Sequence, residues 1–171
     1  MAVNPHVEQL RGVGEPARQY LWEVMLNGTL PGSTTGGGND GPTLTYRAMS
    51  TTIPDTIVEP YEHQYKSTKV RYAGKDASAK SFDITFFDAT DLLVFKNMTT
   101  WAEFCINHNK VDYAINMSMV MLGRTDDNDE LMTVTLIDAW PEAVQQVTLD
   151  YASNDALNVA VTFSYDDKET K

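Results

Sequence analysis

The sequence predicts a mainly β protein: an antiparallel β-sandwich or half-barrel with one α-helical segment set between its strands. Three observations predict it. Leu157, Val159, Val161, Phe163 and Tyr165 alternate with Asn158, Ala160, Thr162, Ser164 and Asp166, a period of two that marks a strand with unlike faces. Shorter alternating runs precede this one along most of the chain. One stretch, Asp91 to His108, changes to a spacing of three or four, at Phe95, Met98, Ala102 and Cys105, which is the period of an amphipathic helix. At 171 residues, a single domain over 1–171 with one core is expected.

Residues 1–18 hold Pro5, Gly12, Gly14 and Pro16 with few apolar groups and read as an arm. Tyr20 to Leu26 is the first strand, with Tyr20, Trp22, Val24 and Leu26 on one face. Asn27 to Pro42 contains six glycines and two prolines, so 28–42 reads as a mobile glycine-rich loop. It is no phosphate cradle, because neither a G-K-[ST] nor a helix follows. Leu44 to Ile53 is the second strand, ended by Pro54. Ile57 to Tyr65 and Thr68 to Tyr72 read as one long third strand interrupted near Pro60, and Ser81 to Phe87 as the fourth, with Phe82, Ile84 and Phe86 inward.

The helical segment, 91–108, is expected to cover the sheet through Phe95, Met98 and Trp101. Asp88 or Thr90 can cap it, and Thr100 with Glu103 makes a capping-box pattern that permits a break near Met98 and Thr99. Ile115 to Leu122 fits either strand or helix. Leu131 to Trp140 is a strand with Met132, Val134, Leu136, Asp138 and Trp140 on one side. Pro141 marks a corner after it. Val147 to Tyr151 is a further strand, joined through Ser153-Asn154-Asp155 to the final one.

Chemistry is scarce. His6, His63 and His108 are far apart and match no catalytic or metal spacing. Cys105 lies on the helical stripe, where a buried inert thiol is expected, and a single cysteine excludes an internal disulfide. Asp126, Asp127, Asp129 and Glu130 resemble part of a calcium loop but lack its glycine and distal Glu. No run approaches a membrane span, the N-terminus has no apolar leader segment, and no enzyme activity, cofactor or metal is expected. The net charge of -11 is uneven: residues 1–75 carry 7 basic and 7 acidic side chains, whereas 76–171 carry 6 and 17. Such a chain is a poor nucleic-acid binder. The run Lys66, Lys69, Arg71, Lys75 is the basic exception.

The C-terminal run DAWPEAVQQVTLDYASNDALNVAVTFSYD resembles the signature of the tail tube proteins of contractile-tailed phages. Trp140-Pro141, Leu149-Asp150-Tyr151 and Ser153-Asn154-Asp155 carry that match. Pro16-Ala17-Arg18 with Leu21-Trp22-Glu23-Val24, Arg47-Ala48 to Ile53-Pro54, Val58-Glu59-Pro60, Tyr72-Ala73-Gly74-Lys75, and Phe95 with Trp101 resemble further parts of the family pattern, in order, over about residues 16–166. The glycine-rich loop is longer than the pattern, and 107–130 departs from it.

The resemblance implies hexameric rings that stack into a hollow tube, each subunit lending strands to an inner β-barrel, a fold shared with the ring protein of type VI secretion. It implies a contractile sheath outside, a tape measure protein inside, and baseplate and tail terminator proteins at the ends. DNA would pass through the lumen without specific binding, and the subunit itself would not insert into a membrane. The place implied is the tail tube of a virion, assembled in the host cytoplasm. Two expectations follow for contacts. The polar alternation Thr45, Arg47, Ser50, Thr52 suits a wall wet on one side. The basic segment Lys66, Lys69, Arg71 and Lys75 would meet acidic Asp126, Asp127, Asp129 and Glu130 of a neighbour. The alternatives are a tube subunit of a type VI system or a phage-derived contractile particle, and a monomeric β-sandwich binding module.

Overall fold

The computed structural model describes residues 19–27, 29–32, 44–123, 130–147 and 156–171. In chain order these form β1 (Trp22–Leu26), β2 (Ala48–Thr51), β3 (Val58–Tyr65), β4 (Thr68–Asp76), β5 (Ser81–Phe87), α1 (Leu93–Asn107), α2 (Lys110–Tyr113), β6 (Ile115–Leu122), β7 (Glu130–Val144), β8 (Asn158–Ser164) and β9 (Asp167–Thr170). Among the described residues, seven strands join in the order β1-β6-β7-β8-β5-β2, with β9 also on β7, and β3 and β4 pair only with each other. Every pairing is antiparallel. The mainly β architecture with one covering helix is as the sequence predicts.

β7 is shared by two halves of this sheet. Its first part lies between β6 and β9, and its last part pairs with β8. Between them sits Asp138 at φ 55, where the register on β6 shifts. An extra residue of this kind bends a strand and raises its twist. The bend flips the side-chain phase: Val134 and Leu136 point into the core, and past Asp138 it is Ala139 and not Trp140 that is fully buried. The expected common face from Met132 to Trp140 is therefore corrected to two half-faces. Pro141 likewise makes no corner. It lies inside β7 opposite Phe163, next to a second register shift, the irregular site where a strand tolerates a residue without an N–H. The expected strand 147–151 and its turn fall mostly outside the described residues.

The core lies between the halves. Val24 and Leu26 of β1, Met117 and Met119 of β6, Phe82, Ile84 and Phe86 of β5, and Val159, Val161 and Phe163 of β8 are all buried, following the alternation of each strand. Phe82 stacks on Phe163 with ring centroids 5.5 Å apart, and Trp101 of α1 meets Phe163 at 5.9 Å. Truncating Phe163 to Ala would cost about 3–5 kcal/mol.

The helix is one unbroken element over 93–107. Its buried residues are Val94, Asn97, Met98 and Trp101. The expected inward face is corrected at one point: Val94 takes the place assigned to Phe95, which turns outward. The first part of the glycine-rich loop is packed, with Leu30 buried and Gly32, at φ 76, against the Phe104 ring. The remainder of that loop and the arm 1–18 lie outside the described residues.

Candidate functional site

The hairpin β3–β4 stands off the body of the protein: every residue from Val58 to Asp76 is exposed. The sequence reading of one long third strand is corrected to two strands joined by a tight turn at Lys66-Ser67. That turn holds Lys66 at φ 53 without the usual Gly or Asn. Because β2 pairs with β5 and β3 with β4, the arm is the outward continuation of the β2–β5 ribbon. The 8 residues of β3, at about 3.3 Å each, give it a reach of roughly 25 Å.

The register sorts its side chains. Tyr61 faces Tyr72, His63 faces Val70 and Tyr65 faces Thr68, and directly paired residues share a face. This face is aromatic and apolar. The other carries Glu62 opposite Arg71 and Gln64 opposite Lys69. There Arg71 Nε donates to Glu62 Oε1 at 2.7 Å, and Lys69 Nζ lies 3.5 Å from Glu62 Oε2. Lys75 reaches Glu59 at 3.6 Å, and the Lys66 ammonium sits 5.6 Å from the Tyr65 ring centre. Exposed pairs of this kind contribute little, about 0–1 kcal/mol each. A two-stranded hairpin with neither face covered is marginally stable in water at best.

The base of the arm is held more firmly. Ala77 N–H donates to Ile57 O at 2.8 Å, and Ile57 N–H to Ser78 Oγ at 3.0 Å. Ser78 in turn bonds the Asp76 carboxylate through its hydroxyl and N–H, which holds the Asp76 pKa below its ordinary value. Lys168 of β9 donates its ammonium to the carbonyls of Pro54, at 2.9 Å, and Asp55. Gly74 is required by close approach: a Cβ there would sit 2.3 Å from Glu59 O, beside the register shift between Val58 and Pro60.

A second exposed surface runs along α1. Leu92, Phe95, Ala102 and Ile106 of the helix and Val147 and Leu157 line a groove of about 720 Å³. Ile106 is 81% exposed. Leu92 begins the helix at φ 53, ψ 36, a left-handed conformation that costs a non-glycine residue about 1–2 kcal/mol. Leu92 gives the helix no side-chain cap; Asp88 does so from outside. Its Oδ1 accepts from Val94 N–H at 3.2 Å and its Oδ2 from Phe95 N–H at 2.9 Å. Of the two expected caps, Asp88 is the one used.

Arg47 locks this helix start to β2. Its guanidinium lies 3.1 Å from Asp88 Oδ1 and makes two bonds to Asp91, at 2.9 and 2.7 Å. The Arg47 hydrogen bond draws the Asp91 pKa down to about 2, and the same bond raises that of Arg47. The expectation that Arg47 faces a wet wall is corrected, since its side chain is 13% exposed and spent on these carboxylates.

A third opening, of about 460 Å³, lies where the two terminal strands of the sheet approach each other. Trp22 of β1 and Met49 and Thr51 of β2 flank it, with Met119, Met132 and Val134 behind. Burial pushes the Cys105 thiol up to about 11, which leaves little reactive thiolate. Among the described residues no group of three His, Cys, Asp or Glu is placed to hold a metal ion, and no helix is long and apolar enough to cross a membrane.

The predicted contact residues divide. Lys66, Lys69, Arg71 and Lys75 all lie on the arm. Glu130 opens β7, where its carboxylate accepts from Thr133 Oγ1 at 3.1 Å. Asp126, Asp127 and Asp129, and Leu149, Asp150 and Tyr151 of the signature, lie outside the described residues. Trp140 stacks edge-on with Tyr113, ring centroids 6.0 Å apart. Sequence reasoning missed the aromatic face of the arm and the groove on α1. The signal for the first was the spacing Tyr61, His63, Tyr65, which becomes visible once a turn is placed at 66–67.

A family model described as phage tail tube protein matches residues 20–170. No curated protein matches the chain. Among solved structures, the chain is similar to one in the cap that terminates the tube of an anti-feeding prophage, with TM-score 0.68 and 12% identity over 92% of each chain. It is similar to one in the sheath-tube complex of an extracellular contractile injection system in its extended state, with TM-score 0.67 and 14% identity over 95% of this chain and 96% of that one. A type six secretion system protein aligns with TM-score 0.55 and 8% identity over 87% of this chain and 81% of that one. At such identities the likeness is one of fold.

Proposed function

The chain belongs to the phage tail tube protein family, and from that premise we propose that its copies form hexameric rings stacked into the hollow conduit of a contractile tail. The chain is a tail tube structural subunit. The observation that carries the assembled form is the arm: an exposed hairpin with one aromatic face that a monomer leaves uncovered. The two terminal strands, β1 and β2, suit ring closure, because free strand edges pair with one another and head-to-tail pairing by rotation closes. The tube would lie inside a sheath, enclose a tape measure protein before ejection, and meet baseplate and terminator proteins at its ends. The acidic excess of residues 76–171 would keep DNA phosphates from adhering to the wall. The subunit has no catalytic role and needs no cofactor.

The fold likeness to chains of an anti-feeding prophage and an extracellular injection system favours a second reading, a tube in a phage-derived particle without a DNA-filled head. Particles purified from producing cells distinguish the two by whether heads containing DNA are attached.

Negative-stain electron microscopy of the concentrated protein across a salt series, with and without baseplate initiator proteins, tests the assembly. Hollow tubes of uniform width are expected. Monomers alone under every condition would overturn it and favour a monomeric binding module.

A further inference from the structure

The two roots of the arm are held unequally. On the side where β4 passes into β5, Lys80 is fixed three times to the C-terminal part of the chain. Its carbonyl accepts from Tyr165 N–H at 3.1 Å and from Ser164 Oγ at 3.4 Å, and its ammonium donates to Asp166 O at 2.7 Å. On the other side, residues 53–56 lead from β2 into β3. Among the described residues, the one hydrogen-bond partner of this link is Lys168 of β9, whose ammonium donates to Pro54 O at 2.9 Å and to Asp55 O. β9 is the last strand and, among the described residues, pairs with β7 alone.

Near this root lies a buried polar group without a partner. Tyr165 is 3% exposed, and its hydroxyl makes no hydrogen bond among the described residues. An unpaired buried hydroxyl costs free energy, which a second arrangement of the root would recover. Burial raises the Tyr165 pKa, and the carboxylates of Asp55, Asp76 and Asp167 raise it further, so all three lie within electrostatic reach of the hydroxyl. Two of them are engaged: Asp76 bonds Ser78, and Asp167 accepts from Lys168 N–H at 2.9 Å. The exposed Asp55 carboxylate has no partner among the described residues. It stands on the link that Lys168 holds, directly after the buried Pro54.

We propose that the arm is hinged at Pro54–Asp55 and that Lys168 is its catch. With Lys168 engaged, the link takes the position of the present structure. With Lys168 withdrawn, the link pivots at Pro54, and the Asp55 carboxylate accepts from the Tyr165 hydroxyl, a bond that its charge makes stronger than a neutral one. The arm then leaves the body at a second angle. The last strand of the chain thereby sets the direction of the arm, and a partner that drew β9 off β7 would release it. The hinge belongs to the single chain, so its test needs no assembly.

Lys168→Met keeps the aliphatic stem and removes the ammonium; Lys168→Gln is the milder form should that change disturb folding. In this variant the Ile57 N–H, which bonds Ser78 Oγ at the root, is expected to exchange with solvent about tenfold faster, with unchanged far-ultraviolet circular dichroism. Lys168→Arg, which restores a cation, is expected to return the exchange rate toward that of the wild type. Tyr165→Phe reads the second position. In the wild type it removes an unpaired hydroxyl, and the urea midpoint is expected to stay or rise. In the Lys168→Met background it removes a bonded hydroxyl, and the midpoint is expected to fall. An Ile57 exchange rate that does not respond to the loss of the ammonium would overturn the catch. A midpoint that falls equally in both backgrounds, or in neither, would overturn the second position and the hinge with it.

Discussion

Removing the Asp88 carboxylate would release the N–H groups of Val94 and Phe95 and leave the nearly buried Arg47 guanidinium with Asp91 as its carboxylate partner. Loss of a helix cap costs about 0.5–2 kcal/mol, and the lost bond from the charged Arg47 guanidinium adds to it. Asp88→Ala is therefore expected to destabilise the monomer by about 2–3 kcal/mol, seen as a lower urea midpoint with an unchanged m-value. Asp91 gives the pH signature. Its pKa falls from the ordinary 3.8 to about 2 because Arg47 bonds the ionised form, so its contribution is complete above about pH 4. As the pH drops from about 4 toward 2, the unfolded chain takes up the proton first and the contribution is lost. The stability difference between the wild type and Asp91→Asn should shrink over that window; a constant difference would show that Arg47 does not distinguish the two states of Asp91. Asp88 was legible as a cap from its place just before the apolar helical run. Arg47 was not, because its partners lie 41 and 44 residues away and no local pattern encodes such a contact.

The arm is the element in which sequence and structure part most. Its turn carries Lys66-Ser67 in place of glycine or asparagine, so the two strands read as one, and Pro60 drew the break to the wrong place. Alternation still marked both strands, since it reports the pleat and not the partner. α1 shows the complementary failure. Its existence was plain from the spacing, yet Phe95 was assigned inward. Phe95 and Val94 differ by about 100° around the helix, and the choice was made by Asp88 and Leu92 fixing how the helix starts. Gly74 offers a test confined to the arm. A methyl group there would collide with Glu59 O, so Gly74→Ala should distort the hairpin while the sheet, whose strands pair without it, keeps its melting temperature within about 2 °C. Tube yield in the microscope should fall by about tenfold or more; normal tubes would mean that the arm's geometry is immaterial to assembly.

For the whole molecule, a mainly β domain with one helix was legible because periods of two and of three to four need only local side-chain order. The division of β7 between two halves was not, because the Asp138 bend is set by the strands on either side and a single displaced residue leaves little trace in composition. The charge distribution was legible as a sum, and the structure adds that Lys69, Arg71 and Lys75 have carboxylates within their own hairpin. Reversing Lys66, Lys69, Arg71 and Lys75 to Glu would place those groups beside Glu62 and Glu59. Assembly should fail, while far-ultraviolet circular dichroism of the monomer stays unchanged. If tubes form normally, none of the four contributes to contacts between copies. The continuity of β2 and β5 with the arm has a mechanical consequence. Tension along the arm enters the body through two strands that lie lengthwise against their neighbours, β5 along β8 over seven residue pairs. Such a load shears many hydrogen bonds at once and cannot peel them one by one. A pull on the arm is therefore resisted along the length of the strands, as a stiff rod resists it.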